Sequence, residues 1–334
     1  MRTALVTGAT GLVGTYVVQR LQRDGWNVRA LVRDEARAHE LAAAGVRLER
    51  GDVLDAGSLV AAAQGCDLII HTAAAITPRG GWEAFRRPNI EGTGNVIAAA
   101  ERVSARLVHT SSVAVYGNAT RHQADGARTS EDVVLAPLPG HAFYARSKRE
   151  SESMVLNAHR DGRVWATAVR PNVIYGRHDR QFVPRMARLL RFGIAPLIGG
   201  GRTTLGIVHA ENVADGVVRA ATTDAAGGRA YNLANDFDVS VEAFFRLAGV
   251  GLDVNMRMLP VPRALARATM NAFKVIAPLF FGGAFNAVSS ASLDFLSRDN
   301  PFTSDRARRE LGWKPSVHPE TGIPDAFRWC LLAR

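Results

Sequence analysis

The sequence predicts a doubly wound parallel α/β sheet with helices on both faces, followed by a smaller C-terminal α/β lobe. Three observations carry that prediction. Short apolar runs alternate with amphipathic helical segments along most of the chain, the pattern of a parallel sheet covered on both sides. A glycine-rich turn joins the first run to the first helix. Small and hydroxyl-bearing residues gather just past the ends of later runs, where ligands collect in sheets of this kind.

Taken in order, Thr3 to Val6 reads as a buried strand, Gly8-Ala9-Thr10-Gly11-Leu12-Val13-Gly14 as a turn, and Thr15 to Asp24 as a helix ending at Gly25. Glycines there permit a tight turn and let backbone N–H groups approach a pyrophosphate resting on the helix N-terminus. Gly8, Thr10, Gly11, Leu12 and Val13 are thus the expected dinucleotide contacts. The second strand, Val28 to Val32, runs into Arg33-Asp34. An acidic tip would bond the ribose 2′-hydroxyl of NAD, whereas Arg33 can pair with a 2′-phosphate, so the reading favours NADP. In the alternative, NAD is the cofactor, Arg33 solvates the strand end and Asp34 makes the ribose contact.

Val46 to Val53 forms a third strand and its exit, Ser58 to Gln64 a helix, and Leu68 to His71 a fourth strand leading into Thr72-Ala73-Ala74-Ala75. Small residues such as Ala73 and Ala74 at that exit allow a flat cofactor to lie against the backbone. Asn89-Ile90-Glu91-Gly92-Thr93 opens a helix reaching about Glu101, and Leu107 to Thr110 is the fifth strand. Ser111 and Ser112 follow it directly, and a hydroxyl there can donate to a carbonyl oxygen. Asn118 to Ala142 reads as a long surface loop, a feature that in compact domains is usually functional.

The next helix carries Tyr144-Ala145-Arg146-Ser147-Lys148. Residues four apart share a helix face, and a tyrosine that works as a base near neutral pH needs a fixed cation beside it. Taken alone, the spacing fits a solvated surface equally well; Ser112 at a strand end upstream is what marks it out. Val164 to Val169 is a further strand. It exits through Arg170-Pro171-Asn172-Val173-Ile174-Tyr175-Gly176, with Pro171 holding the backbone where a nicotinamide would lie. Phe182 to Phe192, Asn212 to Thr222 and Val241 to Ala248 read as helices, Ile207 to His209 and Tyr231 to Leu233 as strands.

The net charge is +10, yet the basic residues are scattered and the one tight cluster is Arg306-Ala307-Arg308-Arg309. With no zinc-finger or RNA-binding pattern beside it, nucleic acid is not an expected partner. Lys148, Lys274 and Lys314 are the only lysines. Cys66 and Cys330 lie far apart and suit buried thiols in a reducing cytosol. No export leader and no bilayer-spanning apolar run is read, and no metal-ligand spacing occurs. The expectation is a cytoplasmic protein without a metal.

Together these blocks resemble the extended short-chain dehydrogenase/reductase family over essentially the whole chain. Thr7 to Gly14 resembles the family's glycine motif, Asp52-Val53 its adenine-side contact, Asn89 its relay asparagine, and Tyr144 and Lys148 its Tyr-x-x-x-Lys pair. Ser112 matches the catalytic serine, with Ser111 the fallback. The blocks 170–176 and 208–214 resemble later family motifs, which places Pro171 and Val173 at the cofactor. The segment from Leu259 onward resembles the 3β-hydroxysteroid dehydrogenase branch, while 28–34 is similar to dihydroflavonol reductases. The resemblance implies a Rossmann-type domain over 1–175, with 203–238 returning to it, and a substrate-binding lobe over 176–202 and 239–334.

It also implies hydride transfer between a nicotinamide and a carbinol or ketone carbon of a small hydrophobic substrate. Tyr144 would exchange the proton, Ser112 would bond the oxygen, Lys148 would hold the ribose, and Asn89 would complete a water relay. A homodimer is expected. The apolar stretch 263–281 has two readings: a pocket lid that also touches a membrane surface, or a core helix broken at Pro278. Two other functions stay open, a nucleotide-sugar epimerase or dehydratase using the same triad, and a non-catalytic cofactor sensor.

Overall fold

The computed structural model describes residues 2–117, 127–262, 264 and 299–333. The chain forms two compact units, the first made of Met1–Ile174, Val208–Asp236 and Phe302–Val317, the second of Tyr175–Ile207, Phe237–Pro301 and His318–Arg334.

Strands are numbered along the chain as β1 (Thr3–Thr7), β2 (Asn27–Val32), β3 (Arg47–Arg50), β4 (Leu68–His71), β5 (Arg106–Thr110), β6 (Ala166–Pro171), β7 (Val173–Tyr175), β8 (Ile194–Ile198), β9 (Ile207–His209), β10 (Ala230–Leu233) and β11 (Arg257–Val261). Seven of them form the sheet of the first unit in the order β10-β6-β5-β4-β1-β2-β3, parallel throughout. Parallel strands are covered on both faces and so read as near-continuous apolar runs; β4 and β6 are buried at every position. The order reverses at β1, whose neighbours are β2 and β4, and the crevice at such a switch point is where ligands bind.

The helices are α1 (Leu12–Arg23), α2 (His39–Ala43), α3 (Ala56–Ala63), α4 (Gly81–Arg86), α5 (Gly92–Val103), α6 (Phe143–Arg160), α7 (Phe182–Leu190), α8 (Ala210–Thr222), α9 (Val241–Leu252), α10 (Asp305–Glu310) and α11 (Pro319–Leu332). Alternation along the strands sorts the core into two layers. Ala4, Val6, Leu68, Ile70 and Val108 pack with Val13, Val17 and Leu21 of α1 and with Val213 and Val217 of α8. Leu5, Ile69 and Leu107 pack with Leu59 of α3, Val96 and Ile97 of α5 and Val155 of α6. His71 and His109 lie two residues beyond Ile69 and Leu107, hence on the same α5/α6 side.

Helix α1 begins at Leu12, earlier than the Thr15 expected, because Gly11 serves as its N-cap. Helices α2, α4, α10 and α11 and strands β8 and β11 had no counterpart in the sequence reading. In the second unit β8 and β11 pair in parallel, from Ile194 opposite Arg257 to Ile198 opposite Val261. Segment 302–317 joins the first unit through polar anchors: the Ser304 hydroxyl accepts the Ala234 and Asn235 amides at 3.0 and 3.1 Å, and the Trp313 indole donates to the Asn212 carbonyl at 2.8 Å.

Residues 118–126 of the long loop lie outside the described residues, as does the apolar stretch 263–281 apart from residue 264. Among the described residues no helix is long and apolar enough to cross a membrane. Cys66 and Cys330 are both buried.

Candidate active site

Helix α6 sets the site. Its buried positions, Ser147, Lys148, Ser151, Glu152, Val155 and Ala158, recur every three or four residues, so one stripe faces inward and carries polar groups with it. Lys148 is only 3% exposed, and its Nζ donates to the Thr110 carbonyl at the end of β5, 2.8 Å away. Desolvation pushes its pKa down to about 8, against the opposing pull of Glu152. Both Glu152 oxygens are taken by Arg170, at 2.6 and 2.9 Å.

Ser112 opens a 3₁₀ turn, Val113–Tyr116, immediately after β5, and its Oγ accepts the Ala114 amide at 3.2 Å. That leaves the Ser112 hydroxyl proton free to turn toward Tyr144, whose phenolate form it favours. Burial raises the Tyr144 pKa above its ordinary value and the Ser112 hydroxyl opposes the rise. At neutral pH Tyr144 is therefore a protonated phenol, placed to give its proton to an oxygen bound between it and Ser112. The structure brings Ser112, Tyr144 and Lys148 to one strand end.

Asn89 lies in a π-helical turn, Arg87–Glu91, between α4 and α5. Its Nδ2 donates to the Ala75 carbonyl and to Ser147 Oγ, both at 2.9 Å, and its Oδ1 accepts the Ala75 amide at 2.7 Å. Asn89 thereby ties the exit of β4 to α6. Its carbonyl accepts the Thr93 hydroxyl proton at 2.6 Å. Thr93 Oγ1 must then accept from His71 Nε2, 3.0 Å away, and His71 Nδ1 from the Thr7 hydroxyl at 2.7 Å. His71 is fully enclosed, which pushes its pKa down to about 3 with Lys148 adding to the shift. His109, its ring 5.4 Å from that of His71, is likewise held neutral by burial, Lys148 and His71. Two neutral imidazoles thus back the Lys148 ammonium.

On the cofactor side, Gly8 has φ +71°, and a Cβ there would stand 2.6 Å from the Ala73 amide nitrogen. At Gly14 a Cβ would stand 2.2 Å from the Gly8 carbonyl oxygen. The turn is pressed against both the β4 exit and the start of α1, and only glycine fits. Thr10 lies half-buried within it. At the N-terminus of α1 no side chain caps the helix and no acidic residue occupies the first turn. The amides of Leu12 and Val13 there lack intrahelical acceptors and sit at the positive end of the helix dipole. These residues fit a dinucleotide's pyrophosphate.

Arg33 follows the end of β2, 82% exposed, 3.9 Å from an Asp52 carboxylate oxygen. The Asp34 carboxylate accepts the Ala36 amide at 3.0 Å and so caps the 3₁₀ turn Glu35–Ala38. Asp52 accepts the Leu54 amide at 2.9 Å, and the Val53 carbonyl accepts from Asn95 at 2.9 Å. Ala73 and Ala74 are half-buried at the β4 exit. Ser111 is buried, and its hydroxyl has no hydrogen-bond partner among the described residues. Pro171 ends β6, buried opposite Leu233, with Val173 half-buried beyond.

Sequence reasoning missed the Thr110 carbonyl, the two histidines and the Glu152–Arg170 pair. Glu152 carried a readable signal, one turn beyond Lys148 on the same face. The imidazoles carried none, since a single histidine at a strand end does not reveal what encloses it.

A model of the NAD dependent epimerase/dehydratase family matches residues 4–234. A 4-hydroxy-2-methyl-3-oxo-4-farnesyl-3,4-dihydroquinoline-1-oxide ketoreductase of Stigmatella aurantiaca is 31% identical, over 98% of this chain and 96% of that protein. A 2-alkyl-3-oxoalkanoate reductase of Stenotrophomonas maltophilia is 30% identical, over 96% of each. The crystal structure of gox2253 superposes with a TM-score of 0.76 at 26% identity, over 100% of this chain and 99% of that one.

Proposed function

The chain belongs to the NAD dependent epimerase/dehydratase family, and we propose that within it this protein is a reductase that interconverts a ketone and a secondary alcohol on a hydrophobic substrate. The observation that carries this reading is the placement of Ser112 directly after β5, whose last carbonyl, that of Thr110, receives the buried Lys148 Nζ at 2.8 Å, with Tyr144 one turn earlier on the same helix. Two curated relatives, a ketoreductase and a 3-oxoalkanoate reductase, support the substrate class.

In the reductive direction the substrate oxygen sits between Ser112 and Tyr144. Ser112 donates to it, and Tyr144 releases its proton to it as charge develops on oxygen. The nicotinamide, when bound, supplies the hydride to the carbonyl carbon. Lys148 keeps one N–H on the Thr110 carbonyl and has two left for ribose hydroxyls, and its charge favours the phenolate that Tyr144 becomes. Asn89 keeps the β4 exit, which would hold the cofactor, in register with α6. Arg33, 82% exposed and held only by its 3.9 Å contact to Asp52, can turn to a 2′-phosphate, so NADP is the proposed cofactor.

The test is turnover of a long-chain 3-oxo ester with NADPH and with NADH, in wild type and in Tyr144→Phe. The wild type is expected to prefer NADPH. Tyr144→Phe is expected to bind cofactor normally and lose roughly 10²- to 10⁴-fold in kcat. Undiminished turnover in Tyr144→Phe would overturn the assignment.

A further inference from the structure

We propose that Phe85 selects substrates whose carbon skeleton is apolar and unhydroxylated next to the reacting carbonyl; this rests on the ketone-reductase reading. Phe85 belongs to α4, which the chain enters through Gly80 and Gly81 at φ +115° and +69°. Trp82 and Phe85 stand three apart and share one face of this short helix. The charged residues of α4 satisfy one another: Arg86 Nε binds Glu83 at 2.8 and 3.0 Å, and its Nη2 lies 3.6 Å from Glu91. The face left toward α6 is aromatic.

On α6, Phe143 meets both rings, with centroids 6.1 Å from Trp82 and 6.2 Å from Phe85. The Arg146 guanidinium covers the Trp82 ring at 4.1 Å. Phe85 is the ring that continues the cluster to the catalytic phenol, its centroid 6.5 Å from that of Tyr144 at a 58° tilt. None of the α4 side chains is fully buried, so the cluster is a half-open wall and not a piece of core. The Asn89–Ser147 hydrogen bond also holds the following turn to α6.

A ketone whose oxygen is held by Tyr144 and Ser112 therefore lays adjoining carbons near the Phe85 ring. An alkyl or ring carbon sheds water there, which is favourable. A sugar carbon would bring a hydroxyl against the Phe85 ring, which offers it no hydrogen-bond partner, and a desolvated unpaired hydroxyl is disfavoured. Phe85 thus acts on substrate binding and not on the proton transfer.

The experiment compares wild type, Phe85→Ala and Phe85→Leu with NADPH on two ketones, a long-chain 2-alkyl-3-oxo ester and its truncated methyl ketone. Phe85→Ala is expected to raise KM for the long-chain ester about tenfold, in the range a lost apolar contact produces, with a smaller rise for the truncated ketone. Phe85→Leu is expected to recover most of the loss. An unchanged KM for the ester, or an equal loss on both ketones, would overturn the proposal. Equilibrium dialysis of the ester against wild type and Phe85→Ala, each with oxidised cofactor, reads the wall without turnover. Weaker binding to the alanine variant supports it and equal binding refutes it, even where a wild type inactive on every ketone shows that the reductase reading has failed.

Discussion

One turn of α6 separates two buried charges that the fold treats in opposite ways. Glu152 is paired in full: Arg170 grips both its oxygens, the remaining Arg170 nitrogen donates to the Tyr116 hydroxyl at 2.7 Å, and that hydroxyl donates to Asn232 at 2.8 Å. Burial alone would lower the Arg170 pKa, but the Glu152 contacts outweigh it and the net shift is upward. Lys148, equally enclosed, has a neutral carbonyl and two neutral imidazoles for company, and burial drives its pKa down to about 8. A buried charge with every partner in place is scaffold. One left short of a counter-charge is held at a cost in stability, and such perturbed groups cluster at functional sites.

Replacing each group should therefore give opposite results. Lys148→Met is expected to lower turnover roughly 10²- to 10⁴-fold and to raise the thermal midpoint, because it removes an under-compensated ammonium. Arg170→Met is expected to destabilise by about 3–5 kcal/mol, since it strands the Glu152 carboxylate, while the molecules that still fold keep the Ser112–Tyr144 pair. Thermal unfolding and kcat of both variants check this; a Lys148→Met protein less stable than wild type would break the contrast.

The pH dependence sharpens it. The folded pKa of Lys148, about 8, lies below the ordinary 10.5, so between these values the unfolded chain binds more protons. Stability contributed through this group consequently increases as pH rises through that window. The same deprotonation removes the cation, so the reduction rate is expected to fall as pH rises through about 8. Lys148→Met should show neither effect, and a wild-type rate flat from pH 7 to about 9 would count against a working ammonium.

The glycine turn, Ser112, Tyr144 and Lys148 were legible in the sequence because each sits at a strand exit or within one helical turn of its partner. Local periodicity reports such relations directly. Helix α4 was not, being too short to display a period, and without it Phe85 could not be set beside a tyrosine nearly sixty positions later. The return of segment 302–317 was hidden for a different reason. Ser304 binds the Ala234 and Asn235 amides, and a serine flanked by polar residues gives no sign of which distant backbone it will cap. The pairing of Glu152 with Arg170 joins a helix to the following strand, and only the packed fold shows that both point inward.

The central claim is net hydride transfer to a carbonyl carbon, and following deuterium from the cofactor tests it most directly. Incubation of the enzyme and a long-chain 3-oxo ester with NADPH deuterated on its transferable C4 position should yield the secondary alcohol with one deuterium on the carbinol carbon and an equal amount of oxidised cofactor. No reduction of the ester, together with epimerisation or dehydration of a nucleotide sugar without net change in the cofactor, would contradict it.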